Sequence, residues 1–108
     1  MSPELEALQM LAFVQLRQGR FDDARRLYAA LHALAPNEHT CRLALAYCQL
    51  RTGQPAAALA VLSVEAADAP AGAHLLRAQA LLAQGEHAAA RRALERFLEL
   101  DRLYPRPD

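Results

Sequence analysis

The stretch Leu16-Arg17-Gln18-Gly19-Arg20-Phe21-Asp22-Asp23-Ala24 decides the fold, because its chemistry returns twice further along the chain. Gly19, Gly53 and Gly85 lie 34 and 32 residues apart. Seven residues before each stands an alanine (Ala12, Ala46, Ala78), and three before each a leucine (Leu16, Leu50, Leu82). Five residues after each stands another alanine (Ala24, Ala58, Ala90), and nine after each a large side chain (Tyr28, Leu62, Leu94). Pro36 and Pro70 follow the first two glycines by seventeen residues, and Arg102 takes that place in the third copy. Each position has a physical use. Glycine ends one helix and permits a tight turn into the next. The alanines let the two helices approach, the large residue fills the space between them, and proline marks the break before the next unit. A period of this length is the signature of stacked repeats.

Between the breaks the apolar residues recur with helical periodicity, which predicts helices at about 4–18, 21–34, 38–52, 55–67, 71–84 and 87–102. Ser2 is placed to cap the first, with Pro3 in its first turn. Asp22 and Asp23 open the second, where acid suits the helix dipole. No run alternates in the way a strand does. The expected fold is therefore all-α, a solenoid of three helix–turn–helix repeats in one domain over 1–108, with repeats at about 5–38, 39–70 and 71–104. Composition agrees: of 108 residues 54% are hydrophobic and 22% charged, enough for a core.

The same arithmetic excludes several functions. Twelve basic residues, all of them Arg, balance twelve acidic ones. A net charge of zero argues against nucleic acid or an anionic membrane as partner. Arg25-Arg26 and Arg91-Arg92 recur at matching positions, but Asp22, Asp23, Glu95 and Glu99 lie nearby, so they read as solvated helix faces. No apolar run reaches the roughly 18–20 residues of a membrane span, and Glu4 and Glu6 stand where a signal peptide needs basic residues. The chain is expected in the cytoplasm. Cys41 and Cys48 are seven apart on one predicted helix, about 10 Å along its axis, too far for a disulfide. They read as reduced packing thiols. His32, His39, His74 and His87 form no metal spacing, the glycines form no phosphate loop, and Ser2 and Ser63 sit in no nucleophile motif. No metal, cofactor or catalytic activity is expected.

The repeat resembles the tetratricopeptide repeat, a helix–turn–helix unit. In the first copy Leu8, Leu11, Ala12, Gly19, Phe21, Ala24, Tyr28, Leu31 and Pro36 fall where that family places its signature residues. The second keeps Leu45, Ala46, Gly53, Ala58, Leu62 and Pro70, with Glu65 in place of a small or apolar residue. The third keeps Ala78, Gly85, Ala90, Leu94 and Phe97 and closes Leu98-Glu99-Leu100-Asp101. The resemblance implies that the first helix of each pair lines a concave face. Carried over by position, that face holds Glu6, Gln9, Phe13, Leu16 and Arg17, then Thr40, Leu43, Tyr47, Leu50 and Arg51, then Leu75, Gln79 and Leu82. Much of it is apolar, and an exposed apolar groove marks a binding site. The expected partner contacts are Phe13, Leu16, Arg17, Leu43, Tyr47, Leu50, Arg51, Leu75, Gln79 and Leu82. Arg17 and Arg51 either bind acidic groups of the partner or offset the helix C-terminal dipole. Relatives that grip a chaperone's C-terminal carboxylate use Lys and Asn, whereas Gln9 and Phe13 stand at those positions here. After the last helix, Leu100, Leu103 and Tyr104 either fold back on the third pair or are covered by a partner.

A narrower resemblance is to the small chaperones of bacterial type III secretion. Val14-Gln15-Leu16-Arg17-Gln18-Gly19, Pro36-Asn37-Glu38-His39 and Leu76-Arg77-Ala78-Gln79 are similar to the YscY-type export chaperones. Leu11-Ala12-Phe13 and the turn from Gly19 to Ala24 are similar, less closely, to the translocator chaperones of the same systems. The YscY-type resemblance implies a small secreted partner, a YscX-type protein, held in the cytosol, with the cytosolic domain of the export gate as a further contact. The alternatives are a translocator-type chaperone, a general scaffold for another peptide, and a homodimer closed by the apolar face.

Overall fold

The computed structural model describes residues 2–63 and 69–105, which form six helices and, among those residues, no strand. They are α1 (Pro3–Arg17), α2 (Phe21–Leu34), α3 (His39–Arg51), α4 (Pro55–Val61), α5 (Ala71–Ala83) and α6 (His87–Leu103). Consecutive helices pack on one another as pairs α1–α2, α3–α4 and α5–α6, and α3 also packs on α5. This is the nearest-neighbour stacking of a solenoid.

The three turns are built alike. Gly19, Gly53 and Gly85 have φ of +75°, +75° and +78°, in the left-handed region. Beyond each, the next backbone N–H donates back to a carbonyl five residues earlier: Arg20 to Gln15 at 2.9 Å, Gln54 to Gln49 at 2.8 Å and Glu86 to Leu81 at 2.9 Å. This closure satisfies carbonyls that the helix end leaves open. A Cβ at any of the three glycines would meet nothing within 4 Å, so the backbone conformation, and not crowding, is what requires glycine.

Helix starts follow their sequence signals. The Ser2 hydroxyl accepts from the Leu5 N–H at 3.2 Å, and Pro3 opens α1. Asp22 in the first turn of α2 pairs with Arg25 at 2.7 Å and Arg26 at 3.2 Å. Its hydrogen bond from Arg25 holds the Asp22 carboxyl below the usual carboxylate range. The fourth helix is shorter than its predicted span of 55–67. It ends at Val61, with Leu62 as its C-cap. There the Ser63 hydroxyl donates to the Ala60 carbonyl at 2.7 Å, a local bond that competes with helix continuation. The rest of that prediction, 64–67, and Glu65 with it, lies outside the described residues.

Two apolar clusters hold the pairs together. One joins Ala12, Ala24, Tyr28, Leu31, Cys41, Leu45 and Cys48, and so runs through α1, α2 and α3. The other joins Ala46, Ala58, Leu62, Ala69, Ala73 and Ala80 across α3, α4 and α5. The repeat alanines Ala12, Ala24, Ala46 and Ala58 are wholly buried, which is the close approach their size permits. Cys41 and Cys48 are buried and unbonded to one another. Burial pushes both thiols up, Cys48 to about 11 with Arg25 opposing the rise. It also pushes the Tyr28 phenol up to about 12, with Cys48 and Cys41 adding to the effect.

Candidate functional site

The first helices of the first and third pairs present large apolar side chains to solvent, whereas those of α3 are half-buried or buried. On α1, Phe13 is 50% exposed and Met10 71%. Both line a hollow of about 450 Å³ with Glu6, Gln9, Val14, Tyr28 and Thr40, so α1, α2 and α3 together build it. A second hollow, of about 360 Å³, opens between α5 and α6 and is walled by Leu75, Gln79, Leu82 and Leu94. Leu82 is 54% exposed.

The ten residues expected to contact a partner fall into groups. Phe13 belongs to the first hollow, and Leu75, Gln79 and Leu82 to the second. Leu16 packs against the first core cluster, Leu43 and Leu50 against the second, and each of the three is half-buried. Tyr47 is also half-buried, and its ring meets that of Phe21 edge-on. The Arg51 guanidinium lies over the same Phe21 ring at 4.6 Å, and that of Arg17 over the Phe13 ring at 5.9 Å. Among the described residues neither arginine has a carboxylate partner, and each stands in the last turn of its helix. The arrangement therefore holds two cations on aromatic faces, one of them, Arg17 on Phe13, at the edge of the first hollow. It provides surface for an apolar segment and charge for an acidic group.

Sequence reasoning passed over Met10, Val14, Leu94 and Arg91. The signal for Leu94 was present: it shares a repeat position with Tyr28 and Leu62, but among the described residues no helix covers it. Among the described residues Arg91 and Arg92 make no ion pair: Glu99 pairs with Arg96 at 3.1 Å, and Glu95, one turn on from Arg91, is the acid that remains beside them. At the C-terminal end, Leu103 and Tyr104 do not fold back; both are exposed, Tyr104 to 74%. Among the described residues no group of three His, Cys, Asp or Glu side chains is placed to hold a metal ion.

Residues 15–71 match a family model described as tetratricopeptide repeat, and residues 71–96 match a second of the same description. No curated protein sequence matches the chain. Among solved structures, the chain is similar to the type III secretion translocator chaperone SycD of Yersinia enterocolitica in an alternative dimer. There the identity is 31% and the TM-score 0.87, covering 97% of this chain and 81% of that one. It is similar also to SycD in complex with a peptide of the translocator YopD, at 32% identity and a TM-score of 0.88, covering 97% and 82%. A further SycD structure matches at 31% identity and a TM-score of 0.83, covering 95% of this chain and 77% of that one.

Proposed function

The chain belongs to the tetratricopeptide-repeat family of type III secretion chaperones, and from that premise we propose that it binds an apolar segment of a secreted translocator along the face formed by α1, α3 and α5. The observation that carries this reading is the pair of exposed hydrophobic side chains, Phe13 and Leu82, each beside a hollow on the first helix of its pair. A SycD structure of high similarity holds a translocator peptide. The YscX-type partner and the export-gate contact rest on the sequence resemblance alone, so the comparisons favour the translocator reading.

Binding of this kind is coupled folding and binding. The secreted segment pays for its own ordering from the apolar area it buries, at roughly 25 cal/mol per Å². The role needs no catalysis. No described helix is long and apolar enough to cross a membrane, and we place the protein in the bacterial cytoplasm. Co-expression with the translocator of the same secretion system tests the role. A soluble one-to-one complex is expected with the wild type, and translocator found only in aggregates would contradict it.

A further inference from the structure

Leu94 stands where Tyr28 and Leu62 stand in the two preceding helix pairs, nine residues after the turn glycine. Tyr28 is 2% exposed and Leu62 0%, but Leu94 is 41% exposed. The difference has a definite cause. Helix α3 covers the first pair, with Cys41, Leu45 and Cys48 clustered on Ala12, Ala24 and Tyr28. Helix α5 covers the second, with Ala73, Leu76 and Ala80 packed on Ala46, Ala58 and Leu62. Each covering helix presents a small residue, a leucine about one turn on, and a second small residue two turns from the first. No described helix covers the third pair. Its equivalent surface is the cleft between α5 and α6, with the buried Ala78 and Ala90 below, Leu82 and Leu94 on the walls, and Arg91 in the lining.

Charge narrows the occupant. Arg25 and Arg26 on the first pair both hold Asp22. Ala88 takes the place of Asp22 in the third pair, so Arg91 and Arg92 lack the carboxylate their counterparts have. Arg51, in the last turn of the covering helix α3, lies over the ring of Phe21, one turn before Arg25 on α2. Arg91 is the counterpart of Arg25, so it faces the C-terminal half of whatever covers the third pair.

A second copy fits poorly. Ala7, Leu11 and Val14 on α1 stand at the positions of Cys41, Leu45 and Cys48 and are exposed, so α1 presents the right apolar face. Docked on α5 and α6 of another molecule, however, it would bring Arg17 to the position where Arg51 stacks on Phe21. There the ring is replaced by His87, and Arg91 lies beside it. At the first junction Arg51 has the Phe21 ring and Arg25 is paired with Asp22; His87 and Ala88 replace that ring and that carboxylate in the third pair, so like charges oppose the contact.

We propose that the α5–α6 cleft is a seat for an amphipathic helix of a partner protein, which adds to the end of the solenoid with a small–leucine–small face on Ala78, Ala90 and Leu94 and a carboxylate on Arg91. The seat shares Leu75, Gln79 and Leu82 with the groove of the proposed function but extends on to α6. Variants on α6 therefore report on it separately from the hollow at α1.

The probe is a fluorescein-labelled stapled peptide of residues 39–54 of this chain carrying C41A, C48A, R51Q and T52E. Anisotropy with the full chain is expected to show saturable binding, with methyl NMR shifts at Leu82 and Leu94. Leu94→Asp should weaken binding at least tenfold, and Leu94→Gln serves if that variant does not fold. Arg91→Glu should weaken it about fivefold, and a peptide with T52R in place of T52E should regain binding to Arg91→Glu. Absence of saturable binding, shifts confined to α1 and α3, or indifference to both Leu94 variants would overturn the proposal. So would sedimentation of the chain alone showing self-association that Leu94→Gln abolishes, since a second copy would then fill the seat.

Discussion

The ring of Tyr47 meets that of Phe21 edge-on, with centroids 5.9 Å apart and planes at 73°. With Arg51 stacked on the same ring, one aromatic at the start of α2 anchors two side chains of α3. Phe21 therefore fixes how the second pair sits on the first and holds Arg51 at its place on the face. Phe21→Ala should cost about 1–3 kcal/mol, from the ring pair, the cation contact and lost area together. Phe21→Tyr should retain most of it. Urea denaturation followed by circular dichroism checks both, and an unchanged midpoint for Phe21→Ala would contradict the assignment.

Ala24 and Ala58 are wholly buried at matching places in two pairs. Leucine at either position has no room and forces the helices apart. Ala24→Leu and Ala58→Leu should each destabilise the fold by about 1–3 kcal/mol. Thermal unfolding reads the loss, and full stability in both variants would undermine the repeat alignment itself.

Leu50 is half-buried and packs on the cluster that contains Ala46 and Leu62. An aspartate there must either reach solvent or leave a charge against that cluster. Leu50→Asp should therefore lower stability by about 2–4 kcal/mol in addition to any effect on binding. A Leu50→Asp chain as stable as the wild type would mean that the side chain serves the surface alone.

His74 is 6% exposed, and its Nε2 has no hydrogen-bond partner among the described residues. Burial holds its pKa below 6.5, with Arg96 and Arg77 adding to the effect. The unfolded chain therefore binds a proton near pH 6.5 that the folded chain takes up only at lower pH. Stability from this group is complete above that range and falls as pH drops through 6.5 towards the folded pKa. Denaturation midpoints should decline between pH 7 and pH 5, and His74→Gln should flatten the decline. An equal slope in the variant would place the effect elsewhere.

Much of this was legible in the sequence because the repeat carries it. Glycine at a positive φ, alanine at a helix crossing and proline at a break each impose a local requirement that shows at a fixed spacing. The groove was only partly legible. Phe13 and Leu82 are exposed as expected, but periodicity does not say whether Leu16 or Leu50 faces the core or the solvent when both flank it. Tyr47 was read alone, because its partner Phe21 lies on another helix 26 positions earlier. The Ser63 hydroxyl bond beside the end of α4 is local, and no period encodes it.

The most direct measurement is the binding of labelled peptides tiling the translocator of the same secretion system to the wild type, Phe13→Asp and Leu82→Asp. Phe13 and Leu82 are half exposed, so both variants should keep the helical spectrum of the wild type. Saturable binding of one apolar segment, weakened about tenfold or more by each variant, is the predicted result. A segment that binds all three proteins equally, or no segment that binds at all, would contradict the groove as the site where a secreted partner is held.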